Sequence, residues 1–140
     1  MTRKSQLDVE TKYDDLFDHA MAAREFSYAP YSQYKVGAAL LTRNGNIFKG
    51  CNIENAAYTP SVCAERTAIF KAVSEGELVF EAIAIATVNG GAPCGVCRQV
   101  MREFAPDITV IIGSVEGDRQ VLTLADLLPH SFGPESLPRT

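Results

Sequence analysis

Apolar side chains in the first quarter of the chain recur at helical spacing. The pattern predicts an amphipathic helix over residues 10–25, and the polar residues 1–9 before it are expected to be frayed. Pro30 then interrupts the chain and predicts a loop. The apolar positions that define the helix are Tyr13, Leu16, Phe17, Ala20 and Met21.

A β-hairpin is predicted next. A first strand is expected from Tyr34 to Leu41, and a second one from Ile47 to about Asn52. Between them lies an Asn-Gly pair, which favours the tight turn that joins two antiparallel strands. The polar segment 54–61 contains Pro60 and is expected to be a loop.

The second half of the chain alternates between helical and strand patterns. Helices are predicted over residues 63–74, 94–104 and 122–128, and buried strands over 82–88 and 108–113. The resulting order is α-β-β-α-β-α-β-α. A hairpin that feeds βαβ units indicates one α/β domain over residues 1–140, with a mixed sheet covered by helices on both faces.

Composition and charge narrow the class of protein. The chain has 140 residues, 46% of them apolar, and a net charge of −4. This charge gives no reason to expect binding to nucleic acid or to anionic membranes. No apolar run approaches the ~20 residues that span a bilayer, and no signal-peptide pattern is present. We therefore expect a cytoplasmic protein, in which four cysteines suggest metal binding or catalysis before disulfides.

Three of the cysteines occur in two short motifs. Cys63 lies in Cys-Ala-Glu, whereas Cys94 and Cys97 form Pro-Cys-Gly-Val-Cys. The C-x-x-C pair alone fits a zinc half-site, a redox pair or chance. Both motifs begin predicted helices, where backbone amides and the helix dipole favour thiolates. Three such thiolates would hold Zn²⁺ and leave its fourth position open, as catalysis requires.

Two further residues are candidates for chemistry at this site. Glu65 follows Cys63 on the first helical turn, where a carboxylate could act as general acid and base. Three thiolates on Zn²⁺ carry a net charge of −1, and we expect Arg66 to offset this charge by hydrogen-bonding the sulfurs. The two histidines of the chain, His19 and His130, lie outside both motifs.

Plainer interpretations stay open from the residues alone. The cysteines could form a structural zinc site, although no fourth ligand can be placed, or a redox pair, which leaves Cys63 and Glu65 without a role. Glu65 could be a solvated helix residue. Cys51 is most simply a buried strand cysteine.

Several segments together resemble the cytidine deaminases, specifically the short, homotetrameric, three-cysteine zinc type. The matching segments lie between residues 31 and 134 and cover nearly the whole predicted domain. The resemblance implies a three-layer α/β/α fold with a mixed sheet of about five strands. It also implies Zn²⁺ as cofactor and hydrolytic deamination of cytidine and 2′-deoxycytidine, with release of ammonia, in pyrimidine salvage. The segments are 31–40, 50–58, 63–68, 93–99 and 127–134.

A free pyrimidine nucleoside is the expected partner. Asn52 and Glu54 stand at i and i+2, so their side chains face the same side at a strand end and could together bind a ribose hydroxyl. The resemblance implies that this group is the 3′-hydroxyl, a contact that a polynucleotide would obstruct. The alternative is a turn stabilised by hydrogen bonds of the Asn side chains.

The resemblance assigns further contacts to the substrate. Tyr34 occupies a position where the family usually has phenylalanine against the base, so its hydroxyl requires water or a partner. The backbone near Ala64 is expected to hydrogen-bond the base edge. Phe132, in a tail over residues 131–140, together with Ala56 and Tyr58, is expected to reach the site of a neighbouring subunit in a homotetramer with shared active sites.

Three alternative functions share parts of this pattern. A deaminase of a cytosine-nucleoside antibiotic such as blasticidin S would share the zinc motifs but lack the Asn52 and Glu54 pair. A polynucleotide-editing deaminase would need a basic groove, which the net charge argues against. A non-enzymatic zinc module would need four protein ligands.

Overall fold

The computed structural model describes residues 13–138, which form five strands, four α-helices and one 3₁₀ turn. The predicted fraying of residues 1–9 and the start of the first predicted helix lie outside this range. The helices are α1 (Asp14–Arg24), α2 (Ala64–Ser74), α3 (Gly95–Phe104) and α4 (Leu124–Leu127), and the 3₁₀ turn is Pro134–Ser136. The strands are β1 (Gly37–Thr42), β2 (Ile47–Cys51), β3 (Phe80–Thr87), β4 (Thr109–Ser114) and β5 (Arg119–Thr123).

The five strands form one mixed sheet in the order β2-β1-β3-β4-β5. Strands β3 and β4 are parallel, because α3 connects them, and the other neighbours are antiparallel. The predicted hairpin is confirmed, with Gly45 in the left-handed region at φ 85°. The predicted α/β class with a mixed sheet of about five strands is likewise confirmed.

Alternation along the central strands separates two cores. In β3, Ile83 and Ile85 face α2 and α3, whereas the alanines at 82, 84 and 86 face α1. These small side chains let α1 pack closely, with Leu16 and Phe17 filling the space above them. The sheet therefore lies between α1 on one face and the helices α2 and α3 on the other.

The predicted helix over residues 122–128 is wrong in its first part. Residues 119–123 form β5, an exposed edge strand paired with β4, and Leu122 packs on the core as a strand residue. Thr123 then caps α4, because its hydroxyl accepts from the amide of Asp126 at 3.2 Å while its own amide donates to the Asp126 carboxylate. The helical pattern seen in the sequence starts only after this cap.

The first predicted strand is also too long at its start. Residues 34–36 lie outside β1, because the Val36 amide donates to the side chain of Asn52 at 3.0 Å instead of to a neighbouring strand. The segment before β1 is thus free to form the wall of a cavity. Among residues 13–138, no helix has the length and apolar character that a bilayer crossing requires.

Candidate active site

The three motif cysteines come together at the starts of two helices. Cys63 is the residue before α2, Cys94 is the residue before α3, and Cys97 lies in the first turn of α3. Their sulfur atoms all lie within 4.8 Å of one another, and Cys63 Sγ is 3.7 Å from Cys94 Sγ. Two sulfurs on a tetrahedral Zn²⁺, each at 2.3 Å, are separated by about 3.8 Å. The cluster therefore fits zinc, and in the described part of the chain it is the one group of its kind.

Hydrogen bonds bias the protonation of these thiols. The thiol of Cys97 and the guanidinium of Arg66 lower the pKa of Cys63 to about 5, and Arg66 Nη2 lies 3.4 Å from Cys63 Sγ. The pKa of Cys97 is raised, because its thiol donates a hydrogen bond to Cys63 and is buried. These contacts thus favour the thiolate form of Cys63, the form that binds metal.

Arg66 lies beside this thiolate, as the sequence predicted. Its Nε is buried and has no hydrogen-bond partner within residues 13–138. Arg66 therefore has one donor on Cys63 and a further buried donor without a partner, next to the sulfur cluster. This arrangement fits a site that holds more negative charge than a single thiolate.

Glu65 is buried beside the cysteines, with 4% of its surface exposed. This excludes the interpretation of a solvated helix residue. Burial raises the pKa of its carboxyl group to about 7, with the nearby Cys63 acting in the same direction. A carboxyl group with this pKa can both take and give a proton near neutral pH.

Close contact with β2 fixes the start of α2. A Cβ atom on Gly50 would lie 2.6 Å from the carbonyl oxygen of Ala64 and 2.5 Å from the amide nitrogen of Ala68. Only glycine permits this approach. Thr67 Oγ1 also donates to the carbonyl of Cys51 at 3.0 Å. The helix that carries Glu65 is therefore seated on the strand that leads to Asn52.

A cavity of about 310 Å³ opens beside Glu65. This volume is at the lower end of the range for small-molecule sites. Asn52, Glu54 and Tyr34 line it together with Cys63, Cys94, Glu65 and Arg66, so the predicted ribose pair and the metal cluster share one cavity.

The side chains of Asn52 and Glu54 also hold the segment before β1. Asn52 Nδ2 donates to the carbonyl of Tyr34 at 2.7 Å, and its Oδ1 accepts from the Val36 amide and the Ser27 hydroxyl. The Glu54 carboxylate accepts from the Ser32 hydroxyl and from two backbone amides. The Ser32 hydroxyl and amide keep the pKa of Glu54 below its usual range. The alternative role as turn-stabilising residues is thus part of what these side chains do.

Four other predicted substrate residues do not line this cavity within one chain. Ala64 is fully buried at the start of α2, although its neighbours on both sides reach the cavity. Ala56 and Tyr58 lie in an exposed loop, and Phe132 is exposed near the second motif helix, where Gln99 Nε2 donates to its carbonyl at 2.9 Å. The expected contacts of Ala56, Tyr58 and Phe132 with a neighbouring subunit stay predictions.

Sequence reasoning missed part of the cavity wall. The cavity is also lined by Thr87, at the end of β3, and by Gly91 and Ala92, in a segment that the Gly-Gly pair indicated only as a flexible turn. Asn89 belongs to the same turn and accepts a hydrogen bond from the Tyr34 hydroxyl at 2.6 Å. The one available signal was the unusual hydroxyl at position 34, which required a partner.

Comparison with known proteins decides the family. The model of the cytidine and deoxycytidylate deaminase zinc-binding region matches residues 10–113. The chain belongs to this family. Its members are hydrolytic deaminases that act on pyrimidine nucleosides, and the expectations of an enzyme and of Zn²⁺ as cofactor are confirmed.

Individual relatives agree over nearly the whole chain. A cytidine deaminase of Halalkalibacterium halodurans is 49% identical over 87% of this chain and 95% of its own, and one of Sporosarcina psychrophila is 47% identical over 94% and 96%. The crystal structure of cytidine deaminase from Burkholderia pseudomallei matches with a TM-score of 0.80 at 46% identity, covering 94% of this chain and 100% of that one.

Proposed function

We propose that this protein converts cytidine and 2′-deoxycytidine to the corresponding uracil nucleosides by hydrolysis, with release of ammonia, in pyrimidine salvage. The observation that carries the proposal is the cavity that Asn52 and Glu54 share with the buried Glu65 carboxyl group and with Cys63 and Cys94 of the three-cysteine cluster. The family assignment and the names of its relatives support the same reaction.

Cys63, Cys94 and Cys97 hold Zn²⁺ in this proposal. When bound, the metal supplies a Lewis acid that lowers the pKa of a water molecule and makes it nucleophilic at neutral pH. Arg66 offsets the charge of the thiolates through its contact with Cys63 Sγ. Their placement at helix starts leaves one side of the cluster open to the cavity.

Glu65 moves the protons. Its carboxylate takes a proton from the attacking water and delivers it to ring N3, while the water oxygen bonds to C4. It then carries the second proton to the exocyclic amine, which leaves as ammonia when the C4–N4 bond breaks. Burial suits the group to both steps, because it brings the carboxyl pKa close to neutral.

Asn52 and Glu54 orient the sugar, and Tyr34 contacts the base. The ribose 3′-hydroxyl would accept a hydrogen bond from the second Nδ2 hydrogen of Asn52 and donate one to the Glu54 carboxylate, because Asn52 Oδ1 already accepts two hydrogen bonds. The half-buried ring of Tyr34 offers a flat face to the pyrimidine. The backbone around Ala64 hydrogen-bonds the base edge.

The active form is a homotetramer with shared sites. Tyr58 is 77% exposed and Phe132 is 57% exposed, so both rings are available for contact with another subunit. Ala56 and the tail over residues 131–140 belong to the same contact. Thiols that must stay reduced to bind metal suit the cytoplasm.

The alternatives have less support. A structural zinc module needs a fourth protein ligand, and within residues 13–138 no histidine or carboxylate joins the three cysteines as a ligand group. A deaminase of an antibiotic such as blasticidin S has no use for the Asn52 and Glu54 pair.

The ultraviolet change on conversion of cytidine to uridine tests the proposal, with the product identified by mass. We expect turnover by the zinc-loaded protein, and a loss of at least about a hundredfold in kcat for Glu65→Gln, because general acid–base catalysis is removed. The variant should keep its zinc, which metal analysis measures. Glu116→Gln, at an exposed position on the β4–β5 turn, is the matched control. A folded, zinc-loaded protein without turnover would overturn the assignment.

A further inference from the structure

The hydroxyl of Tyr34 makes a contact that a phenylalanine at this position could not make. Tyr34, which lines the cavity, donates from its Oη to Asn89 Oδ1 at 2.6 Å. Asn89 precedes the motif cysteine Cys94 by five residues, in the turn that follows β3. The hydrogen bond therefore joins two segments that both contribute to the cavity lining, the one before β1 and the one after β3.

Each partner of this bond is fixed on its own side. The backbone of Tyr34 is held by Asn52 Nδ2, which donates to its carbonyl, and by Ser32 Oγ, which accepts from its amide at 3.0 Å. Asn89 Oδ1 also accepts a longer hydrogen bond from Thr87 Oγ1 at 3.4 Å, and that hydroxyl in turn accepts from the Gly91 amide at 2.9 Å. A ring held at both ends is a rigid wall.

Space for the Tyr34 hydroxyl exists because residue 91 is glycine. A Cβ atom on Gly91 would lie 2.6 Å from Tyr34 Oη, closer than unbonded atoms approach. The same Cβ would be 3.8 Å from Tyr34 Cζ and 3.5 Å from Asn89 Oδ1, both ordinary contacts. The conflict is therefore with the hydroxyl alone, so Tyr34, Asn89 and Gly91 form a matched set.

We propose that Asn89 is a positioning residue for nucleoside binding, which acts through the Tyr34 hydroxyl and depends on glycine at position 91. This inference rests on the proposed function, since it concerns the same cavity. The bond orders the Tyr34 ring and the 88–93 turn before the nucleoside arrives. Binding then costs less conformational entropy, so the contact improves affinity more than it accelerates chemistry.

Steady-state kinetics with cytidine test the pair as a double-mutant cycle. Tyr34→Phe and Asn89→Ala should each raise KM about threefold to tenfold, the loss expected for one hydrogen bond, and change kcat by less than about twofold. The double variant should resemble either single variant, because both remove the same bond. Asn44→Ala, in the turn at the opposite end of β1, is the control for a surface asparagine.

Gly91→Ala tests whether the contact depends on glycine at position 91. In the natural background it should raise KM at least as much as Tyr34→Phe, because the new methyl group displaces the hydroxyl. Combined with Tyr34→Phe, the same substitution should leave KM at the level of Tyr34→Phe alone, because the atom in conflict is gone. Calorimetric binding of uridine should show the same order, independently of turnover.

Three results would overturn the inference. They are an unchanged KM in Tyr34→Phe, effects of Tyr34→Phe and Asn89→Ala that multiply, and a Gly91→Ala defect that persists without the hydroxyl. If the wild-type protein converts cytidine, any of these results leaves the proposed function intact. A wild-type protein that neither binds uridine nor converts cytidine overturns both.

Discussion

At the scale of single residues, the charge of the cysteine cluster is the main problem that the chain solves. Three thiolates on one divalent cation leave a net negative charge, which weakens the metal as a Lewis acid. Arg66 lies within 3.4 Å of one sulfur and has a further buried donor that no described group uses. Its contribution should therefore be electrostatic and directional rather than one of packing.

Arg66→Gln should lower kcat about tenfold or more and speed the loss of zinc to a chelator, because outer contacts of this kind typically change metal affinity by 10–100-fold. Release of zinc to a coloured chelator measures the second effect. Arg66→Lys keeps the charge but loses the fork of donors, so its kcat and its rate of zinc loss should lie between those of the wild type and those of Arg66→Gln. Equal rates of zinc loss in all three proteins would contradict this role.

Single-residue roles were predictable where a motif carries its chemistry. The spacing of Cys63, Glu65 and the Cys94–Cys97 pair already implied one site, because helix starts and ligand types are local properties. The double use of Asn52 and Glu54 was not predictable, since it depends on where residues 31–36 fold back. Asn89 was hidden for the same reason: its partner is 55 positions away in sequence.

At the scale of elements, the contact between β2 and α2 determines where Cys63 and Glu65 stand. Gly50 lets the strand backbone touch the first turn of the helix, with no flexible side chain between them. A substitution there cannot be absorbed by a rotamer change. The helix itself must move, and the metal and acid–base groups move with it.

Gly50→Ala should lower the free energy of unfolding by about 1–3 kcal/mol, the usual range for overpacking, and reduce kcat. Chemical denaturation measures the first effect. Gly95→Ala is the matched stability control, because a Cβ atom there meets nothing within 4 Å, and alanine favours the helix that it begins. Equal stability of the two variants would show that α2 can shift freely.

Glu77 ties the turn of the β1–β2 hairpin to the end of α2. Its carboxylate accepts from Thr42 Oγ1 at 2.6 Å, from Asn46 Nδ2 at 2.9 Å and from Asn44 Nδ2 at 3.4 Å. These bonds, with that from Thr42 the strongest, hold the pKa of Glu77 below its usual range. The folded state therefore binds this proton less readily than the unfolded chain does.

Stability from Glu77 should be present in full above the carboxyl pKa of the unfolded chain, about 4.3, and be lost as the pH falls through the lower folded value. Wild type should thus melt above Glu77→Gln at pH 7, and the gap should narrow below about pH 4. Melting curves of both proteins across this range measure it. A difference in melting temperature that does not depend on pH would mean that the contact does not require the ionised carboxylate.

Most element types were predictable from periodicity, with β5 as the exception, but the bounds of the elements were not. β5 was mistaken for helix because Leu122 continues an apolar spacing into α4, and an exposed edge strand has no apolar alternation of its own. The first strand begins at Gly37 instead of Tyr34 because the Val36 amide donates to the side chain of Asn52. Such competition between side chain and ladder leaves no periodic signal.

At the scale of the whole molecule, the exposed tail suggests an assembly. Arg102 donates to Ser131 Oγ at 2.8 Å and forms an ion pair with Glu135, while Gln99 holds the Phe132 carbonyl. Helix α3, which begins at the metal cluster, therefore also fixes the direction of the tail. A ring that is exposed but has a fixed backbone is suited to enter a neighbour's site.

Co-expression of two impaired variants tests whether sites are shared. Phe132→Ala alone should lose about twofold to tenfold in activity, the range for one aromatic contact. Mixed tetramers of Phe132→Ala and Glu65→Gln subunits should be more active, for each intact Glu65, than tetramers of Phe132→Ala alone. The reason is that the Glu65→Gln subunit supplies the missing Phe132 ring. Pairing Phe132→Ala with the double variant Glu65→Gln/Phe132→Ala should give no recovery. Sedimentation of the wild type as a monomer would refute the assembly.

The position of the cysteines also has a consequence for how the protein persists in a cell. Cys63 and Cys94 are 31 positions apart, with α2 and β3 between them, so a metal held by both closes that stretch into a loop. A metal that binds these cysteines only in the folded chain stabilises the native state by its binding free energy. Free zinc thus acts on lifetime as well as on turnover. In a cell short of zinc the protein would unfold and be degraded more readily, so the amount of protein would follow the metal supply.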